Sequence, residues 1–459
     1  MRFARFDKKW LRRLNYVFHY MELYLLHGGP ERLRAKYPIK EPIFIIGDFR
    51  SGTSVLERLI AHHPDVAYFT MSHQALWSGP FLWMKFLAPM AFIRDNVLGH
   101  KAWNKPDNKG MFWPHSSNVL LHRGRPFEVE NLWEYCSRNL RARRCDTWQI
   151  LDDVEKNPDN STNFDLLDEN FSDPHFEQLL LNSIRLILAN HGSKSERPRF
   201  ILKNPLNGYR IGYLYKLFPD AKFVHIARNP LKTALSQIEM AETNLRCFFL
   251  DEMECRKHDN KPPRIDPAKS KKSWNYIFNN KYPNGETGTL WWPRQFPRTV
   301  PEYARITKYL KNEQKECAVA VAVTQQERVV LDAFKRIGAV QGKNVFTVWH
   351  EDILQDASKT FEAVMRYLGL KCTAKQRLQW LEREDFPNGQ ANIKRVSKSN
   401  LHEKKNAIDF GKWTKEVTEI IVNDPVMKRY KERNNKSLEE RLGFEEDTNT
   451  GTVGNGIHA

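Results

Sequence analysis

The run Gly47-Asp48-Phe49-Arg50-Ser51-Gly52-Thr53-Ser54 has the spacing of a phosphate-binding loop, G-x-x-x-x-G followed by a hydroxyl residue. In such a turn successive backbone N–H groups face one point, and the N-terminus of the following helix adds its dipole, so the concavity suits an anion. Thr53 stands where the lysine of nucleoside-triphosphate loops would be. Arg50, inside the loop, offers a different cation, aimed at a shorter anionic group. On this motif alone, a strand–helix turn without a ligand is an equal reading. A second pair, Arg228 and Ser236, lies in Arg228-Asn229-Pro230-Leu231-Lys232-Thr233-Ala234-Leu235-Ser236. Arginine with a hydroxyl suits a second phosphate, although singly Arg228 reads equally as a surface ion-pair residue and Ser236 as a neutral helix position. Two anion sites imply a nucleotide phosphorylated at two separate points.

These residues need elements that bring them together. Pro42-Ile43-Phe44-Ile45-Ile46 is a short apolar run ending at Gly47, the pattern of a strand covered on both faces, and Val55, Leu56, Leu59 and Ile60 then repeat at helical spacing. Phe200–Leu202 precedes a helical stretch from Tyr209 to Phe218, and Phe223–Ile226 precedes another from Leu231 to Ala241. Val345–Trp349 precedes a helix from Ala357 to Leu368 that Gly369 stops. Arg228 thus falls at the carboxyl end of a strand, where open α/β sheets bind ligands, with Ser236 about two turns into the next helix. The alternation predicts an α/β fold with a central parallel sheet flanked by helices.

The chain has 459 residues and a formal net charge of +17, with 41% hydrophobic and 28% charged residues. That profile is globular, and the charge points to a polyanionic partner without saying which. Six cysteines without a C-x-x-C pair argue against zinc ribbons and a disulfide scaffold, so reduced thiols and a cytoplasmic location are expected. No apolar run is long enough to predict an integral membrane span. Residues 1–40, with ten Lys/Arg and three Asp/Glu, form a basic N-terminal region. Within it Trp10–Leu26 reads as an amphipathic helix with Trp10, Leu14, Val17, Phe18, Met21 and Leu25 on one side, interrupted for a signal peptide or anchor by His19 and Glu22. Packing on the protein body is favoured there over peripheral membrane contact. The expected α/β domain spans 41–400 with insertions near 72–150 and 251–330, followed by a helical region at 401–444 and a disordered tail at 445–459.

The two motifs resemble those of the sulfotransferases that use 3′-phosphoadenosine-5′-phosphosulfate (PAPS). Pro42–Ile60 is similar to the family's 5′-phosphosulfate loop and Phe218–Ser236 to its 3′-phosphate signature. Arg228 and Ser236 match the residues that bind the 3′-phosphate, and Val345–Leu370 gives a weaker match to the late strand and helix. The resemblance implies a P-loop-like three-layer fold and a site holding PAPS through Arg50, Ser51, Gly52, Thr53, Ser54, Arg228 and Ser236. It implies adenosine 3′,5′-bisphosphate as product, and no metal. Lys203-Asn204-Pro205 stands where phenol and steroid enzymes carry Lys-x-His, and Arg50 where they carry lysine, as in the bacterial-type and carbohydrate-type branches. The base is therefore sought in Pro126-Phe127-Glu128-Val129-Glu130, similar to a Pro-x-Glu-x-Glu segment of bacterial-type members. Glu128 and Glu130 would point the same way on an extended chain, and paired carboxylates raise one pKa. Glu130 is preferred because Leu132-Trp133 follows, while a solvated surface pair, His115 and His73 are the alternatives. Lys394 and Arg395 would be late basic contacts to the 3′-phosphate, or simply solvated charges.

The acceptor stays open among small-molecule, lipid and glycan hydroxyls or amines; Trp77–Phe92 and Trp291-Trp292 would line its pocket or fill the core. The competing enzyme reading is a P-loop kinase using ATP, which Thr53, Asn204 and Arg228 disfavour at the positions of its lysine and magnesium ligand. A basic membrane- or nucleic-acid-binding protein would leave both phosphate motifs unexplained, and no nucleic-acid motif is present.

Overall fold

The structure, a computed structural model, describes residues 17–70, 111–112, 120–121, 126, 167–191, 198–238, 302–312, 314–383 and 415–442. Trp10, Leu14, His73, Trp77–Phe92, His115, Glu128, Glu130, Trp291-Trp292, Lys394, Arg395 and the tail 445–459 lie outside the described residues.

Residues 17–26 form helix α1, with π spacing over Met21–Leu26, and α2 follows at Pro30–Lys36. Strand β1 (Ile43–Ile46) leads into α3 (Thr53–Ala61) and β2 (Val66–Tyr68). Helix α4 (Pro174–Asn190) starts at Asp173, whose carboxylate accepts from the N–H groups of His175 and Phe176, and Pro174 fits the first turn because it has no N–H to satisfy. Next come β3 (Arg199–Lys203), a 3-10 turn (Pro205–Arg210), α5 (Ile211–Leu217), β4 (Lys222–Ala227) and helix α6 over residues 230–238. Helices α7 (Tyr303–Lys311) and α8 (Lys315–Arg336) precede β5 (Val345–Trp349), α9 (His350–Gln355), α10 (Ala357–Leu368) and α11 (Ala374–Arg383). The C-terminal helices are α12 (Lys415–Val422), α13 (Pro425–Asn434) and α14 (Leu438–Leu442).

The five strands of the central sheet run parallel in the order β2-β3-β1-β4-β5, and Met111–Phe112 pairs antiparallel with Leu120–Leu121 apart from it. Every residue of β1 is buried, because both faces of the sheet are covered. Phe44 and Ile46 pack with Phe176, Leu180 and Ile184 of α4 on one face. Ile43 and Ile45 meet Leu56, Leu59 and Ile60 of α3 and Phe361, Val364 and Leu368 of α10 on the other. The chain leaves β1 toward one edge and leaves β4 toward the opposite edge. These neighbours therefore flank the point where strand order reverses, and the crevice at their carboxyl ends is where such sheets bind ligands.

Arginines fasten the C-terminal helices to this frame. Buried Asp352 of α9 accepts from Arg433 and from Arg441 Nε (2.9 Å) on Oδ1, and from the Trp349 N–H (3.3 Å) on Oδ2. Arg429 and Arg433 also lie over the Trp349 ring, at 5.4 and 5.5 Å from its centroid. The amphipathic face of α1 is turned the other way from the packing expected of it: His19, Glu22 and Leu23 face the body, while Val17, Met21 and Leu25 are exposed.

Candidate functional site

The loop after β1 is built by close backbone approach. A Cβ on Gly47 would come within 2.7 Å of the Ile226 carbonyl oxygen and 2.8 Å of Thr53 Cγ2, so only glycine lets the loop lie against β4. Gly52 has φ +104°, and a side chain there would meet His350 Cδ2 at 2.8 Å. Arg50 takes φ +68° without being glycine, a conformation that costs on the order of 1 kcal/mol or more and is kept where a side chain is needed at that point. The Ser51 hydroxyl donates to the Asp48 carbonyl at 2.7 Å, closing the turn from inside. Thr53 is buried against Gly47, while Ser54 is half-buried in the first turn of α3.

The second motif reaches this loop directly. Arg228, at the end of β4, donates through Nη1 to the Arg50 carbonyl. Arg50 Nε donates to Ser236 Oγ at 3.2 Å, and Gln237 Nε2 donates to the Phe49 carbonyl at 3.1 Å. Pairing of β1 with β4 sets this up, since Ile46 opposite His225 puts both chains out of the sheet side by side. Asn229 starts α6 by accepting from the Leu231 N–H at 2.9 Å, and its own N–H donates to Glu351 Oε1 at 3.1 Å. The structure therefore brings Arg50, Ser236 and Arg228 into one hydrogen-bonded group with the loop.

The acid of the loop is handled electrostatically. Asp48 Oδ1 accepts from the Phe49 N–H at 2.6 Å, whereas Oδ2 is buried without a hydrogen-bond partner. Gln237 meets the same carboxyl, and its Oε1 is likewise buried without a partner. Burial pushes the Asp48 carboxyl well above its ordinary range, and the charge of Glu327 pushes the same way. A proton on the carboxyl would leave the loop without an anion of its own. Asp48→Asn, the neutral isostere of the protonated acid, is expected to keep or raise the melting temperature. Asp48→Ala should cost about 1–3 kcal/mol by orphaning buried groups, and equal losses in the two variants would refute a protonated Asp48.

At the end of β3, Lys203 is buried with Glu57 of α3. Burial pushes the Lys203 ammonium down to about 8 and the Glu57 carboxyl up to about 7, and each charge pulls the other back. Arg50 also bears on Lys203, lowering it further, so this pair adjoins the loop. Asn204 accepts from the Leu206 N–H at 2.8 Å and Pro205 opens the 3-10 turn, so the place of a Lys-x-His base is used for a backbone cap. Glu57 escaped the sequence reading because a glutamate in a helix ordinarily faces solvent. His350 and Glu351 carried a readable signal, since they directly follow a buried strand.

Glu128 and Glu130 lie outside the described residues, as do Lys394 and Arg395. Pro126, which opens the Glu-x-Glu segment, pairs in an antiparallel bridge with Thr70, two residues past the carboxyl end of β2.

The segment that holds both motifs is also the one that known proteins share. Residues 42–257 match the model of the sulfotransferase family. Among individual proteins, it is similar to the omega-hydroxy-beta-dihydromenaquinone-9 sulfotransferase Stf3 of Mycobacterium bovis (strain ATCC BAA-935 / AF2122/97), 26% identical over 211 residues. That match covers 46% of this chain and 48% of the relative, so it spans about half the length of the curated protein. The Mycobacterium tuberculosis Stf3 gives the same figures. Among solved structures, sulfotransferase STF1 of Mycobacterium tuberculosis H37Rv aligns at 15% identity and a TM-score of 0.46, covering 91% of this chain and 86% of that one. STF9 of Mycobacterium avium aligns at 11% identity and a TM-score of 0.44, covering 86% of each chain.

Proposed function

We propose that the chain is a PAPS-dependent sulfotransferase acting on a hydroxyl or amine of a small-molecule, lipid or glycan acceptor. The observation that carries this is the hydrogen-bonded group Arg228–Arg50–Ser236 at the carboxyl ends of adjacent strands β1 and β4. Its chemistry fits a ligand with two separate anionic groups, because two arginines meet at a loop whose only acid is buried and held toward neutrality. Bound there, PAPS supplies the sulfuryl group together with a phosphate as leaving group. The backbone of Ser51–Ser54 and the N-terminus of α3 would hold the 5′-phosphosulfate, and Arg228 with Ser236 the 3′-phosphate, joined by Lys394 and Arg395. Arg50 would offset charge developing on the departing 5′-phosphate, a role in which fixed cations act without reorganising. Glu130, with Glu128 beside it, would take the acceptor proton. The bridge between Thr70 and Pro126 supports that choice, because Pro126, two positions before Glu128 in the sequence, lies just past the carboxyl end of β2. The curated relatives are named for a hydroxylated menaquinone, which favours a hydroxyl acceptor.

Melting curves with adenosine 3′,5′-bisphosphate and with ATP–Mg²⁺ test the donor. Stabilisation by the bisphosphate is expected, and stabilisation by ATP–Mg²⁺ alone would replace this reading with a kinase. Glu130→Gln should lower turnover by about 10²–10⁴-fold with bisphosphate affinity unchanged. Full turnover in that variant would place the base elsewhere. Added SO₃, sought by mass spectrometry in cell extract incubated with PAPS, identifies the acceptor.

A further inference from the structure

Helix α1 meets the rest of the protein through the side that periodicity would assign to solvent. Leu23 packs into a small cluster with Leu33 of α2 and Leu186 of α4. Glu22 is buried beside it and accepts from Asn190 Nδ2 at 2.7 Å. The outward side is apolar and aromatic: Val17, Tyr20, Met21, Tyr24, Leu25 and Leu26 are exposed at 51%, 44%, 41%, 54%, 73% and 48%. The rings of Tyr20 and Tyr24 stack on one another there, with centroids 6.1 Å apart. Six large apolar side chains left in water on one short helix call for a covering partner.

Charge identifies the partner. Residues 1–40 hold ten basic and three acidic residues, and the one acid within α1, Glu22, is withdrawn into the body. Arg32, Arg34 and Lys36 are exposed on α2 immediately after the apolar helix, and Lys8, Lys9, Arg12 and Arg13 precede it in the sequence. A second copy of the chain docked through this face would bring two such basic clusters together. An anionic bilayer satisfies both features, because apolar and tyrosine side chains enter the headgroup boundary while lysine and arginine meet lipid phosphates. Among the described residues no helix is long and apolar enough to cross a membrane, so the contact is interfacial.

We propose that α1 and α2 form a docking surface for an anionic lipid bilayer. The surface lies at the amino end of the sheet, since α1 packs at the last turn of α4 and His191 just beyond meets the carbonyl of Pro64, which precedes β2. The nucleotide crevice lies at the carboxyl end. Docking therefore holds the protein at a membrane whatever its acceptor, and stands apart from the proposed reaction.

Co-sedimentation of the full chain with vesicles of phosphatidylcholine containing roughly a third phosphatidylglycerol tests it, against pure phosphatidylcholine. The wild type should partition to the anionic vesicles, and added salt should weaken the binding. Leu25→Glu should reduce it by about tenfold or more, and Tyr24→Ser, a milder change, by several-fold, both with unchanged melting temperature. A wild type left in the supernatant would overturn the proposal, as would undiminished binding in both variants. So would light scattering that shows a dimer converted to a monomer by Leu25→Glu, because the occupant would then be a second copy.

Discussion

Arg228→Ala should weaken binding of adenosine 3′,5′-bisphosphate on the order of 100-fold, the equivalent of the roughly 2–3 kcal/mol that a charge-assisted hydrogen bond supplies. Adenosine 5′-monophosphate should lose much less. The two losses differ because Arg228 has two tasks. Its Nη1 supports the loop through the Arg50 carbonyl, which affects both nucleotides, while the rest of the fork is assigned to the 3′-phosphate, which only the bisphosphate carries. Arg228→Lys should restore charge but not the planar fork, and so recover only part of the difference. Calorimetric titration of both nucleotides decides the matter. Equal losses would mean that Arg228 props the loop and does not read the 3′-phosphate.

Asp352→Ala should destabilise the protein by about 3–5 kcal/mol, because it strips the shared partner from two arginines that are themselves largely buried. For a chain of this size that corresponds to a fall in melting temperature of roughly 3–5 °C. The Trp349 N–H would lose its acceptor as well. Asp352→Asn keeps an acceptor for that N–H but no charge for Arg433 and Arg441, so an intermediate loss is expected. A melting temperature unchanged by Asp352→Ala would show that the other contacts of the C-terminal helices, the Arg429 and Arg433 stacking on Trp349 among them, suffice to hold them.

Much of the sheet could be read in the residues. Ile43–Ile46 and Val345–Trp349 announce themselves as apolar runs because both of their faces are covered, and Gly369 stops α10 in a left-handed turn, at φ +67°. The meeting of Arg50, Arg228 and Ser236 was legible too, because glycine spacing and an arginine at a strand end are local signals. What escaped depended on contacts distant in sequence. The upward push on the Asp48 carboxyl comes from burial and the charge of Glu327, and that on Glu57 from burial, which Lys203 partly offsets. Helix α1 shows the limit most clearly. Periodicity locates an apolar stripe, but which side meets the body is decided by Leu33, Leu186 and Asn190, which no window around α1 contains.

The six-residue helix α9 carries Glu351 and Asp352 side by side. One receives the N–H of Asn229, which starts the helix bearing Ser236, and the other receives the arginines of α13 and α14. A helix of barely two turns cannot tilt to suit one neighbour without disturbing the other. If the crevice holds the proposed nucleotide, its occupancy and the seating of α13 and α14 would share a coordinate, and whatever free energy one lent the other would be returned in equal measure. Under the proposed function, α13 and α14 would then act as silent co-ligands of the nucleotide.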